Sequence, residues 1–339
     1  MKNLELGHIM LNNCVALAML AGCGGSQPPI DAPGAMQQSS ALATHADPGE
    51  SWMLPEAKSE DLLYVSDWLD GTVTVYSFKT RKLVGTLSGF SDPSGLCTDK
   101  RGDVFVTDLT SSQIVEYAHG GKESIKKLNE PGYLPEPDGC SVDETTGNLA
   151  VTNNLLDGRS GIVLIYKDAM GRPTTYADDP GVQFYRGCSY DDSGNLFVTA
   201  DQPMGLSLVL RELLRGSKKF TSIKLNKNIA YPSGGYYNGG GVQWDGTYVV
   251  IEDHHGEKLY RFMIAGQTGR LEGTTNLSLA RDIGQFWIEG SQVIGANAHG
   301  GMAHDGTVMF WNYPAGGSPI RTLTKGVGYP YGVTVSKAD

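Results

Sequence analysis

The sequence contains no apolar stretch long enough to cross a bilayer, no surplus of basic charge, and only five cysteines in 339 residues. The apolar run at 14–20 (CVALAML) falls far short of the roughly 20 residues a membrane-spanning helix needs. It does have the length of a signal-peptide h-region. Asp and Glu number 37 against 27 Lys and Arg, giving a net charge of −10 and a pI near 5.2. That balance argues against nucleic acid as a partner, since binding it requires a basic face. It also argues against electrostatic adhesion to anionic lipid, so any hold on a membrane must come from an anchor. No cysteine or histidine spacing matches an established zinc motif.

What the chain does contain is a repeat. Six segments close an apolar run with a short polar group: 62–67 (LLYVSD), 103–108 (DVFVTD), 148–153 (NLAVTN), 195–200 (NLFVTA), 247–252 (TYVVIE) and 292–297 (QVIGAN). From Asp67 the successive intervals are 41, 45, 47, 52 and 45 residues. Recurrence at that period, with only short β-rich runs inside each unit, predicts an all-β fold, a β-propeller. The following strand ends in an aromatic at Tyr76, Tyr117, Tyr166, Phe262 and Trp311, residues suited to wedging between sheets. Arg211 falls in that column in the fourth unit, so an irregular outer part is expected there. The run at 206–214 (LSLVLRELL) is read as strand leading into an outer turn, with a short amphipathic helix as the alternative.

Gly95, Gly139, Gly187, Gly241 and Gly284 each open an inner strand, and a sixth copy, Gly332, stands near the C-terminus with no unit after it. The first unit lacks an inner strand of its own. The C-terminal strand is therefore expected to supply it, giving six blades with no open edge. The phrase at 93–108 (PSGLCTDKRGDVFVTD), echoed at 137–153 and 186–199, resembles the NHL-repeat and gluconolactonase-like six-bladed propellers over about residues 61–339. The resemblance implies that fold. In lactonase-like relatives it also implies a mouth holding a catalytic divalent ion, but the group includes lyases and non-catalytic binding proteins, so it selects no activity.

Residues 20–23 (LAGC) resemble a bacterial lipobox, which implies cleavage before Cys23 and acylation of that residue. Several acyl chains on one residue hold a protein to a membrane where one would be marginal. The alternative is an ordinary cleaved signal peptide, and Met10 is an alternative start. The organisation expected is a lipoprotein signal peptide at 1–22, a flexible tether at 23–60 and the propeller at 61–339. Within the tether, Trp52, Met53 and Leu54 either dock on the first blade or form a chance apolar cluster. Cys97, Cys140 and Cys188 all follow an opening glycine and are read as small buried hydrophobes. A Cys140–Cys188 bridge would need Cα atoms within about 7 Å, and inner strands are expected to splay wider.

Chemistry, if present, belongs where the second strand of each unit ends. Asp67, Asp108, Asn153, Asp201, Glu252 and Asn297 gather there, with Asp138, Arg186 and Tyr331 from the loops leading into the inner strands. Such a ring of oxygen donors suits Ca²⁺ or Mg²⁺. Asp253, His254, His255 and His299, with His304, form a neighbouring set that would suit Zn²⁺. The competing account is structural, because Asp and Asn at strand ends cap loops by accepting backbone N–H groups. The Gly- and Tyr-rich loop at 231–241 is a stacking surface or a spacer. No catalytic residue is assigned. The expectation is a monomeric, membrane-anchored, extracytoplasmic module that binds or scaffolds a protein, peptide or glycan of the cell envelope. The alternative is a metal-dependent lactonase-type hydrolase or lyase.

Overall fold

The computed structural model describes residues 49–129, 135–155, 161–177, 182, 184–201, 207–229, 240–253, 257–298 and 304–338. The signal-peptide stretch, Cys23, most of the tether and residues 231–239 lie outside them.

Each repeat supplies antiparallel strands ordered from an inner strand outward, because β-branched and aromatic runs alternate with Asp- and Gly-rich turns. At 99–103 the turn is built by Asp99, whose carboxylate accepts the N–H groups of Arg101 and Asp103, each at 2.9 Å. Gly102 completes it at a φ of +79° that favours glycine.

The first repeat comprises Leu62–Asp67, Thr72–Ser77 and Leu83–Ser88. Its inner strand is Pro330–Ser336 from the C-terminus, paired as Leu63 with Val335 and Val65 with Val333. The expected closure is therefore present. On the outer edge, Trp52–Met53 adds a fifth strand against Gly85 and Thr86, so the apolar cluster docks. Repeats two, three and six form four-stranded sheets. Repeats four and five instead share one eight-stranded sheet, since their outermost strands, Thr221–Leu225 and Thr268–Asn276, pair in parallel. That pairing covers only Lys224 with Thr268 and Leu225 with Gly269. Where six separate blades are expected, five hydrogen-bonded sheets are found among the described residues, two repeats being joined at the rim.

The core lies between sheets. Hydrophobic clusters join repeats one and two, two and three, three and four, four and five, five and six, and six and one. Tyr76, Tyr117, Tyr166, Phe262 and Trp311 are all buried in these layers, as expected. In the fourth repeat the strand Leu208–Leu213 is regular, correcting the expected irregularity. The ladder pairs Leu196 with Leu213 as it pairs Leu63 with Tyr76, so Leu213 holds the aromatic's column. Arg211 lies two residues away, facing Val198, and its guanidinium bonds the Ser222 hydroxyl on the next strand.

Candidate functional site

Antiparallel pairing brings the start of every inner strand and the end of its partner to one end of the central axis. There Asp67 accepts the N–H groups of Gly328 and Tyr329, the latter at 3.0 Å, and Asp108 accepts those of Ser91 and Asp92. Asn297 accepts from Arg281 at 2.6 Å, and Asp253 from Glu257 and Lys258 at 2.9 and 3.3 Å. Asp67, Asp108 and Asn297 tie the returning loops to the axis, and Asp253 caps the connection that follows its own strand. Asn153 donates to the Val151 carbonyl at 3.3 Å, and beside it Asn154 accepts from the Tyr185 N–H at 3.1 Å. His254, His255 and His299 lie outside the described residues. His304 is exposed and faces Asp70 at 3.4 Å. Among the described residues, no group of three or more His, Cys, Asp or Glu is placed to hold a metal ion.

Four other expected residues do converge. Tyr331 donates its hydroxyl to Asp138 at 2.8 Å, and Arg186 donates Nε and Nη2 to one oxygen of Asp201 at 3.0 and 2.7 Å. Asp138 and Asp201 are both buried. Burial raises the Asp138 pKa to about 6 against the opposing pull of Arg186 and the Tyr331 hydrogen bond. Burial also works against the charge on Arg186, but Asp201 and Asp138 more than restore it. Together with inner-strand glycines, Asp138, Arg186 and Tyr331 line an axial cavity of about 30 Å³, room for a water molecule or two.

The axis is narrow because five of its six inner positions are glycine. A Cβ on Gly95 would lie 2.2 Å from the Asp138 carbonyl oxygen, and one on Gly332 would lie 2.1 Å from that of Ser94. Neighbouring inner strands thus touch backbone to backbone. Hydroxyls in the adjacent column latch them: Ser66 donates to Ser94 O, Thr107 to Asp138 O, Thr152 to Arg186 O and Thr199 to Gly240 O. Glu252 holds this column in repeat five, accepting the Gly241 N–H at 3.3 Å. Burial, then the nearby Asp253, raises its pKa well above the ordinary carboxylate value.

The sixth inner position is different. The ladder pairs Phe286 with Gly295 where other repeats pair the residue after the glycine, which places Gln285 and not Gly284 in the glycine column. Its amide crosses the axis, accepting the N–H groups of Leu96 and Val333 at 3.0 and 3.1 Å and donating to Leu96 O at 2.8 Å. The axis is closed by a polar plug.

Close approach also decides the cysteines, and overturns their reading as three buried thiols. Cys97 and Cys140 form a disulfide across neighbouring inner strands with Cα atoms 5.7 Å apart. Cys188 is free and buried, its thiol pushed up by burial. Cys97 stands two residues after its glycine, the register from which Ser141 accepts the Tyr190 N–H, Ser189 accepts the Trp244 N–H, and Gln243 accepts from Ile288. The disulfide thus fills a column that in three other repeats hydrogen-bonds the inner strand to the next.

Beyond the plug the inner strands diverge, and at the opposite end of the axis they open a cavity of about 370 Å³. Tyr190, Trp244 and Trp287 form aromatic walls, Ser141, Ser189 and Gln243 lie deeper, and Glu144, Asp191 and Asp192 stand around it. The Trp287 indole donates to Glu289 at 3.4 Å. Asp191 is occupied by its own turn, accepting the N–H groups of Ser193 and Asn195.

No protein-family model and no curated protein matches the chain. Solved structures do. A chain in the crystal structure of a nidogen/laminin complex is similar at 14% identity and a TM-score of 0.61, covering 82% of this chain and 99% of that one. A protein of unknown function from Bacteroides caccae gives 12% identity and a TM-score of 0.59, covering 82% and 99%. A β-propeller domain from Myceliophteria thermophila gives 11% and 0.51, covering 84% of this chain and 88% of that one.

The fold is a β-propeller. The funnel of this propeller was not foreseen, although its aromatics recur three residues after Gly187, Gly241 and Gly284. That spacing is legible in the sequence, although the ladder places Ile288 and not Trp287 in the column of Tyr190 and Trp244.

Proposed function

We propose that the protein is an extracytoplasmic propeller of six blades, lipid-anchored through Cys23, that binds a protein, peptide or glycan of the cell envelope. Counting the eight-stranded sheet as two blades is supported by the six inter-repeat cores and by the two-residue extent of the rim pairing. The observation that carries the location is the Cys97–Cys140 disulfide, a bond that persists in oxidising compartments and is rare in reducing ones. It agrees with the lipobox-like 20–23 segment. A binding role is supported by the polar plug and by the open funnel beyond it. With Trp52–Met53 paired to the first blade, the tether would run from Cys23 to about residue 50, a reach on the order of 30 Å.

On intact cells, photo-crosslinking residues placed in turn around both ends of the axis are expected to give a discrete adduct at one end. Cys23→Ser is expected to shift the protein out of the membrane fraction or leave its precursor uncleaved. A protein that stays membrane-bound and fully processed after that substitution, and gives no adduct at any position, contradicts the proposal.

A further inference from the structure

We propose that the funnel is a docking site for a cationic side chain, lysine or arginine, presented by a partner peptide or protein. This rests on the reading of the protein as a binding module and names the chemistry its ligand carries. Every charged residue lining the cavity is an acid: Glu144, Asp191 and Asp192, with no lysine or arginine among them. Glu144 and Asp192 are exposed. Among the described residues the ion pairs lie elsewhere, at Arg101, Lys126, Arg186, Arg270, His304 and Lys337, and none of them engages Glu144, Asp191 or Asp192. A neutral sugar stacked on the indoles could offer the carboxylates only hydroxyl hydrogen bonds, without an opposing charge. A cation supplies that charge and gains from the ring faces of Trp244, Trp287 and Tyr190.

The shape agrees. Room of about 370 Å³ accepts an extended side chain with some flanking backbone, and Gln285 forms the floor that stops it short of the buried Asp138–Arg186 network. The walls are held rigid. The Ser189 and Gln243 side chains fix the backbone at Trp244 and Ile288 with hydrogen bonds of 2.9 and 2.6 Å. The aromatics are therefore pre-positioned, which lowers the entropic cost of binding.

The test uses the purified full-length protein and three probes: acetyl-Gly-Lys-Gly-amide, its arginine counterpart, and neutral chitotriose, followed by tryptophan fluorescence. Saturable binding of the cationic peptides is expected, weakened several-fold between 0.05 and 0.5 M salt as exposed charge interactions are screened (roughly). Glu144→Gln with Asp192→Asn is expected to weaken it at least ten-fold, and Trp244→Phe to weaken it less. Glu123→Gln, an exposed acid just before the outer strand Ser124–Asn129, is expected to change nothing. An equal loss with Glu123→Gln would reduce the effect to net charge and overturn the proposal. Chitotriose binding that depends on Trp244, without peptide binding, would overturn the cationic ligand while leaving a binding module in place. If no probe binds, the docking site is refuted, whereas the binding reading stands or falls on crosslinking in cells. Unchanged circular dichroism and melting of each variant show that loss of binding is not loss of fold.

Discussion

At the residue scale, one offset carries more information than the residue types around it. Cys140 and Cys188 directly follow their glycines, whereas Cys97 comes one place later, and this later register is the one that reaches the next blade. The offset was visible in the sequence. Its meaning was not, because it depends on glycine letting inner strands approach more closely than side chains would allow. Breaking the bridge with Cys97→Ser and Cys140→Ser should cost up to about 4 kcal/mol in urea unfolding, from the chain-entropy value for the 43-residue separation. An unchanged midpoint would show that the bridge does not constrain the unfolded chain. Asp138 makes a second case. With its pKa raised by burial to about 6, the folded state holds a proton that the unfolded chain releases near pH 4. Between those values the folded form binds more protons, so this group's contribution to stability falls as pH rises through the window. Asp138→Asn keeps an acceptor for Tyr331 and should flatten that fall by roughly 2–3 kcal/mol in melts at pH 4 and pH 7. An identical slope in the variant would place the titration elsewhere.

At the element scale, strand order was legible from the repeat, and the missing inner strand of the first unit pointed to the C-terminus. Pairing of Leu63 with Val335 and Val65 with Val333 meets that expectation. Register was legible only in part. Arg211 looked like the aromatic's equivalent, but the ladder gives that place to Leu213, and Gly284 yields the glycine's place to Gln285. The second is a shift that a gapless reading of short apolar runs cannot detect, because the ladder changes register across the inner glycines. Parallel pairing at the rim between repeats four and five had no sequence signal at all, resting on two residue pairs. Truncation after Tyr331 should unpair the first sheet's inner edge and bare Val333 and Val335, both buried in the layer between repeats six and one. Soluble yield should drop sharply, and whatever remains should melt well below the full chain. Equal yield and melting temperature would show that the ring does not depend on its C-terminal strand.

At the scale of the whole molecule, the two ends of the axis differ: at the one expected to carry the site, Asp67, Asp108, Asp253 and Asn297 cap loops, and Asp138, Arg186, Asp201 and Tyr331 form a buried network. The open cavity lies at the other end, lined by residues whose recurrence was readable but whose convergence needed three dimensions. The proposed location outside the cytoplasm rests on the Cys97–Cys140 disulfide and the lipobox-like 20–23 segment. Peptide mapping by mass spectrometry, without reduction, of the protein isolated from its native cells tests this most directly. The expected result is an N-terminal peptide starting at an acylated Cys23 together with a linked pair of peptides carrying Cys97 and Cys140. An unmodified Cys23 inside a longer chain, with Cys97 and Cys140 both recovered as free thiols, would contradict it.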